Sequence, residues 1–222
     1  ADGRTFMLGW YPQDVRSQLQ QVLGAYHALD GRVTLPALMR VSEEAILQFD
    51  AGDRTIFDVL HEDREEGLRF YRMAISLIPP LQSTSDPGLH APFTSSFFQN
   101  ELGMTREFFV EALLGRDPDG FTRIVTQICT EIATHPYVLC HRDFHGQNIH
   151  VVNNQLYVLD YQDMRMGPDT YDLASLLRDR GVARIIGSET ELELLGLFLR
   201  ISGGEGDVRQ RYFTTLLQGS LQ

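Results

Sequence analysis

Asp143, Asn148 and Asp160 are the residues of this chain whose types and spacing could carry chemistry. Asp143 ends the triplet His141-Arg142-Asp143, placed where the short apolar run 137–140 gives way to polar residues, as when a buried strand emerges. Asn148 follows five residues later. The runs 149–152 and 156–159 are β-branched or apolar and flank Asn153-Asn154, a signal for the tight turn of a hairpin. Such a hairpin would start one strand beside Asn148 and end its neighbour beside Asp160. An amide oxygen and a carboxylate would then meet at one rim, with Asp143 next to them. A carboxylate able to accept a proton, beside an Asn and an Asp able to hold a hard cation, suits phosphoryl transfer. Magnesium takes oxygen ligands, uses only one or two protein carboxylates and leaves the rest of its shell to water and phosphate.

A His-Arg-Asp triplet by itself is commonly a solvated turn. Here the spacing H-x-D-x-x-x-x-N is followed by a strand-borne Asp, the catalytic-loop and metal-loop order of protein-kinase-like enzymes. The stretches HRDFHGQN and VLDYQDMRMGPDTYDLASLLRD resemble the aminoglycoside phosphotransferase and choline kinase superfamily, where the second loop reads D-x-x-D. Within that superfamily, QDMRMGPDTYDLASLLRD is most similar to bacterial anomeric kinases for N-acetylmuramate and N-acetylglucosamine. The resemblance implies an α+β fold: two protein-kinase-like lobes, with a truncated small N-lobe sheet over residues 1–50 and a mainly helical C-lobe over 51–222. It also implies a magnesium- and ATP- or GTP-dependent kinase of a small-molecule alcohol, with an amino sugar expected and aminoglycosides or choline-like alcohols as alternatives. Asp143 would be the base or hydroxyl-orienting residue, and Asn148 and Asp160 the magnesium ligands. His141 and Asp172 would brace the loop, His141 within the catalytic set. Asp163, the second acid of D-x-x-D, would lie near metal or substrate, and His145 and Gln147 would shape the acceptor pocket.

Composition limits the alternatives. A net charge of −11 argues against nucleic-acid binding, which needs clustered positive charge. It would suit a cationic acceptor, but a solvated acidic surface accounts for it as well. No apolar run nears the roughly 18 residues of a membrane span, and no secretory leader pattern opens the sequence. Cys129 and Cys140 lack metal-ligand spacing and read as small buried residues in a reducing cytoplasm. Oligomeric state is not legible.

All nineteen basic residues are arginine, and this bears on nucleotide binding. Kinases of this type hold the α and β phosphates with a strand lysine paired to a helix glutamate. Residues 5–10 read as that strand and 12–29 as its helix, which puts Gly9 where the lysine is expected and Gln20 or Gln21 where the glutamate is expected. No glycine-rich loop precedes the strand, and only Asp2-Gly3 suggests a hairpin turn. Two explanations stand: first strands lying upstream of this sequence, or a chain that has lost tight nucleotide binding and is a non-catalytic binding module.

The remaining elements position the rim. Residues 33–40 and 44–49 read as strands about Ser42-Glu43. Residues 48–53 then resemble the hinge that meets the nucleotide base, with Gln48, Phe49 and Asp50 as the nucleotide-binding candidates, although Phe49 also reads as a sheet-core aromatic. Asp53 is a candidate N-cap for a helix over 54–60. Residues 62–78 are helical and expected to stop at Pro79-Pro80. The Ser, Thr, Pro and Gly-rich stretch 82–96 reads as a connector more than a lid. Residues 97–115 read as a helix with a glycine stop; it resembles the acceptor-pocket helices of the superfamily, with Glu101 as a substrate candidate. The helix over 118–134 carries Phe121, Ile124, Val125, Ile128 and Ile132 on one side. Asp169 or Thr170 could cap the helix after Pro168. Helices over 191–201 and 208–221 flank Gly203-Gly204.

Overall fold

Residues 5–203 and 207–220 are described by a computed structural model; Asp2-Gly3, Gly204 and Leu221, named above, lie outside them. The chain opens with β1 (Phe6–Trp10) and, after a 3-10 turn, α1 (Arg16–Leu29). β2 (Leu38–Val41) and β3 (Ala45–Phe49) complete a three-stranded antiparallel sheet in the order β1-β3-β2. The expected strand over 33–40 shrinks to its last residues. Pro36 has no N–H to give a ladder, and Val33 and Leu35 turn into the core instead.

Thr55, not Asp53, caps α2 (Ile56–Glu62), because its hydroxyl and the Asp58 carboxylate satisfy each other's backbone N–H in a capping box. Asp63 then caps α3 (Arg64–Gln82), which runs through Pro79 and Pro80 to Ser83. Burial of Ile78 and Leu81 at 0% exposure holds this last turn helical despite the lost N–H groups. The helices α2 and α3 meet where Gly67 faces Leu60. A Cβ there would stand 2.3 Å from the Leu60 Cα, against backbone that has no rotamer to yield. Gly67→Ala is therefore expected to lose about 1–3 kcal/mol of stability by overpacking, read as a lower denaturant midpoint; an unchanged midpoint would contradict the packing described.

The stretch 83–94 is a packed connector. Phe93 is buried, and its N–H donates to Met166 O. The expected single helix over 97–115 is broken into α4 (Ser95–Glu101) and a π-helical segment, Thr105–Leu113, followed by Gly115 at φ 58°. On α5 (Asp119–Ile132), Val125, Ile128, Cys129 and Ile132 are buried, whereas Ile124 is 56% exposed, so the apolar stripe is narrower than the sequence suggested.

β4 (Tyr137–Cys140) pairs antiparallel with β7 (Arg165–Pro168), a strand the sequence did not reveal. The motif R-M-G-P contains two poor strand formers and is extended here because β4 supplies its partner. Between them, β5 (Ile149–Val152) and β6 (Gln155–Val158) form the expected hairpin. Asn153 and Asn154 both take left-handed backbone (φ 50° and 63°), as a type I′ turn demands. α6 (Tyr171–Arg178), α7 (Val182–Ser202, interrupted at Gly187) and α8 (Val208–Ser220) finish the chain. Among the described residues no helix is long and apolar enough to cross a membrane. One continuous core runs from α1 and the sheet through α3 to α7 and α8, and a smaller cluster joins Phe93 and Phe98 to α5.

Candidate active site

The rim is assembled by one buried carboxylate. Asp172, in the first turn of α6, is 0% exposed and accepts the backbone N–H groups of His141 (2.8 Å) and Arg142 (3.0 Å). It therefore fixes the loop leaving β4 rather than capping its own helix. Neither Asp169 nor Thr170 makes a cap bond either: Asp169 grips Arg211 through two bonds (3.1 and 2.7 Å), and Thr170 meets Thr215 at 2.9 Å. Arg142 is held at φ 82°, a left-handed backbone that a non-glycine residue keeps only where its surroundings over-determine it. The Asp172 clamp supplies that constraint.

His141, also 0% exposed, joins the two loops of the rim, because its Nε2–H donates to Leu159 O at 2.9 Å, one residue before Asp160. Leu159 N–H in turn donates to Asn148 O at 2.9 Å, so the hairpin register carries Asp160 to the side of Asn148. Asn148 Nδ2 donates to Asp143 O at 3.0 Å and lies 3.3 Å from His145 Nε2. With its nitrogen so engaged, the Asn148 Oδ1 is the amide atom left to meet a cation. Asp160 is exposed, stands at φ 61°, and its Oδ1 accepts Gln162 Nε2 at 2.7 Å. Asp143 is partly buried, and burial pushes its carboxyl above the usual range; Arg142 pulls it down, while Asp160 and Asp163 push it up. A half-desolvated carboxylate with two acidic neighbours is a stronger base than a solvated one.

Below the loop, a Cβ at Gly146 would lie 2.5 Å from Tyr71 Oη, so glycine is what lets the turn from Asp143 to Asn148 settle on α3. The other predicted residues divide. Asp163 stands at the rim, 3.6 Å from Arg142 Nη1 and 3.5 Å from His90 Nε2. Gln147 points outward and is exposed, whereas His145 is half-buried with its Nδ1 unpartnered. Glu101 lies across the site, within electrostatic reach of Arg165 and Tyr171. At the expected hinge, Gln48 and Phe49 end β3, and Phe49 packs on Tyr157 with ring centroids 5.7 Å apart. The Phe49 and Asp50 N–H groups donate to Ala37 O and Thr5 O. Gly9 has Tyr11 over its face: a Cβ there would meet the Tyr11 ring at 3.1 Å. Gln20 is exposed and Gln21 partly buried. His90, Arg142 and Arg165 were missed as site residues. Only the position of Arg142 inside the triplet could have flagged one of them.

The two buried bracing groups oppose each other in pH. Burial pushes the Asp172 carboxyl up to about 7 against the two N–H groups that pull it down. This gives stability present below the unfolded value of 3.8 and lost as pH rises through about 7. Burial lowers the His141 imidazole to about 4, which gives stability present above the unfolded value of 6.5 and lost as pH falls through about 4. The two dependences offset between roughly pH 4 and 6.5. His141→Gln, which keeps a donor for Leu159 O, is expected to gain stability relative to the parent as pH is lowered from 7 to 4. Urea midpoints at four pH values would read this, and parallel profiles would refute it.

The sequence profile of the phosphotransferase enzyme family matches residues 12–207. The N-acetylmuramate/N-acetylglucosamine kinase of Pseudomonas aeruginosa is 27% identical over 143 residues, 62% of this chain and 42% of that protein. The match thus spans about two fifths of the relative's length. Among solved structures, macrolide 2'-phosphotransferase type I superposes with a TM-score of 0.67 at 16% identity, covering 100% of this chain and 77% of the other. The streptomycin-ATP-APH(2")-IIa ternary complex gives 0.62 at 15% identity, covering 100% and 78%. These likenesses establish a kinase-like α+β fold, and with the profile covering most of its length, the chain belongs to the phosphotransferase enzyme family.

Proposed function

We propose that this chain carries the catalytic loops of a kinase that moves the γ-phosphate of ATP, or GTP, to a hydroxyl of an amino sugar resembling N-acetylmuramate or N-acetylglucosamine. The observation that carries the reading is the convergence of Asp143, Asn148 and Asp160 at one rim, fixed by the Asp172 clamp and the Leu159 bonds. In this reading residues 1–50 form part of the nucleotide-side lobe, residues 51–222 form the acceptor-side lobe, and Gln48, Phe49 and Asp50 border the base. The likeness to the Pseudomonas kinase supports the acceptor class, and the ATP named in the ternary complex supports the donor.

The donor set fits a hard cation. Asn148 Oδ1 and the Asp160 carboxylate are oxygen ligands, and among the described residues no group of three His, Cys, Asp or Glu gathers to hold a metal by itself. A magnesium ion would depend on phosphate oxygens to complete its shell, as this ion commonly does. When bound it would neutralise charge on the transferring group. Asp143 would hold the acceptor hydroxyl in line with the γ-phosphorus and take its proton as the new P–O bond forms and the nucleoside diphosphate leaves. His141 would act by positioning, through Leu159. Asp163, His145, Gln147 and Glu101 are the candidates for acceptor contact. The buried, unpaired Cys129 and Cys140 fit a reducing compartment such as the cytoplasm.

A non-catalytic binding module is the second reading, favoured by the absence of any lysine and by Tyr11 over Gly9. Calorimetric titration of ATP with and without magnesium, followed by a phosphate-transfer assay against N-acetyl amino sugars, aminoglycosides and choline, separates the two. Magnesium-dependent binding with transfer to an amino sugar is expected. Binding without transfer to any acceptor would favour the module.

A further inference from the structure

Two guanidinium groups stand together near the rim, that of Arg142 within electrostatic reach of the candidate base and that of Arg165 within reach of Arg142 and Asp163, and no step above uses them. Arg142 follows His141 in the loop, and Arg165 opens β7 directly after Met164, which closes the Tyr161–Asp163 turn of the acidic loop, and is paired with Cys140 at the end of β4. Both address the same aromatic ring: the Arg165 guanidinium carbon lies 5.0 Å from the Phe97 centroid and 5.3 Å from Phe93, and that of Arg142 lies 6.0 Å from Phe97. They are close enough for the Arg142 charge, after burial, to press the Arg165 pKa downwards. The Arg165 Nε is buried and donates to nothing.

The acids that face this pair leave it incompletely satisfied. Asp163 stands 3.6 Å from Arg142 Nη1 and shares itself with His90 at 3.5 Å, both beyond ordinary N–H···O length. Asp163 and Glu101 act on Arg165 through space. Two neighbouring cations on an aromatic wall, with a buried donor left over, form a site that gains by receiving an anion. The planar fork of arginine matches a carboxylate edge-on while its face rests on the ring. Because Arg142 immediately precedes Asp143, a group bound there lies next to the acceptor hydroxyl that Asp143 would hold.

We propose that Arg142 and Arg165 form a carboxylate-binding subsite for the acceptor, so that the protein selects an N-acetyl amino sugar bearing an acidic substituent over its neutral counterpart. The inference rests on the kinase reading for the role of Asp143, but the anion preference is readable in binding alone. A polycationic acceptor would meet two like charges here.

The test uses the full chain with three probes: an N-acetyl amino sugar carrying a carboxylic acid ether, the methyl ester of that acid, and the parent sugar with a free hydroxyl. Each is measured by calorimetry and, in the presence of magnesium and ATP, by kcat/KM. The acid is expected to exceed the ester and the parent sugar roughly tenfold or more, the scale of a charge-assisted pair. In Arg165→Gln that acid-to-neutral ratio should fall towards one, and Arg165→Lys should restore part of it. The ester comparison needs no variant and so stands if Arg165→Gln fails to fold. Equal binding of acid and ester, or an acid-to-neutral ratio unchanged by Arg165→Gln, would overturn the subsite, as would a phosphorylated sugar preferred to the acid. Acid-selective binding without phosphate transfer would support the subsite while defeating the kinase reading.

Discussion

Asp143→Ala is expected to lower turnover by about 10²–10⁴-fold, the range removed with a positioned general base, while magnesium-dependent nucleotide binding stays close to that of the parent. The separation follows from where the residue stands. The Asp143 backbone carbonyl, which accepts Asn148 Nδ2 at 3.0 Å, is kept in alanine, so the bond that holds Asn148 survives the substitution. Its carboxylate interacts through space with Arg142 and Asp163, on the side assigned to the acceptor, and with Asp160 and His145. A loose phosphoryl transition state needs little early deprotonation, so most of the loss should come from misorientation of the hydroxyl. Because burial raises the Asp143 carboxyl, the acid limb of the rate profile should sit above the ordinary carboxylate range and vanish in the variant. Steady-state kinetics and ATP titration on the same preparation decide the matter. Near-parental turnover would remove Asp143 from the mechanism, and loss of nucleotide binding in step with turnover would point to collapse of the loop instead.

Asp160→Asn is expected to damage both quantities together. Asp160 sits at φ 61°, a backbone state that Asp and Asn tolerate better than other side-chain-bearing residues, and asparagine also keeps an oxygen for Gln162 Nε2. The substitution therefore removes charge with little change in shape. On the proposed reading a magnesium ion would lose the charge of its Asp160 ligand, so nucleotide affinity measured with magnesium should fall at least tenfold. Turnover should fall by about 10²-fold or more, as charge on the transferring group goes uncompensated. Affinity measured without magnesium should barely move. A variant that keeps magnesium-dependent affinity would dismiss Asp160 as a metal ligand.

The two substitutions also separate the proposed readings. A non-catalytic module could show the Asp160 effect on nucleotide affinity, but it would give no acceptor turnover for Asp143→Ala to remove. The acidic-sugar preference assigned to Arg142 and Arg165 is a third, independent axis, because its readout is a ratio between acceptors rather than a rate.

The sequence by itself determined the features that arise within a few residues. Asn153-Asn154 specified a two-residue turn, and a two-residue turn fixes the register of the hairpin it closes; the pairing of Ile149 with Val158 follows, and with it the meeting of Asn148 and Asp160 at one end. The helical periods of α1 and α5 were legible for the same reason, since a 3.6-residue repeat is a local property. Tertiary structure decided whatever depends on a partner remote in the chain. Asp172 is expected to brace the loop, but only through the family resemblance; the bonds that do so, to backbone N–H groups 31 and 30 residues away, follow from no local rule, and they hold Arg142 in left-handed backbone. Pro79-Pro80 reads as a stop, but the burial of Ile78 and Leu81 carries α3 past it. The strand β7 exists because β4 lies alongside, and the convergence of Arg142 and Arg165 on Phe97 joins three stretches that no spacing rule connects. Local turn and helix energies are encoded where they act. Buried hydrogen bonds and gathered charges are set by whichever groups the packed core brings together, and that is written only in the fold.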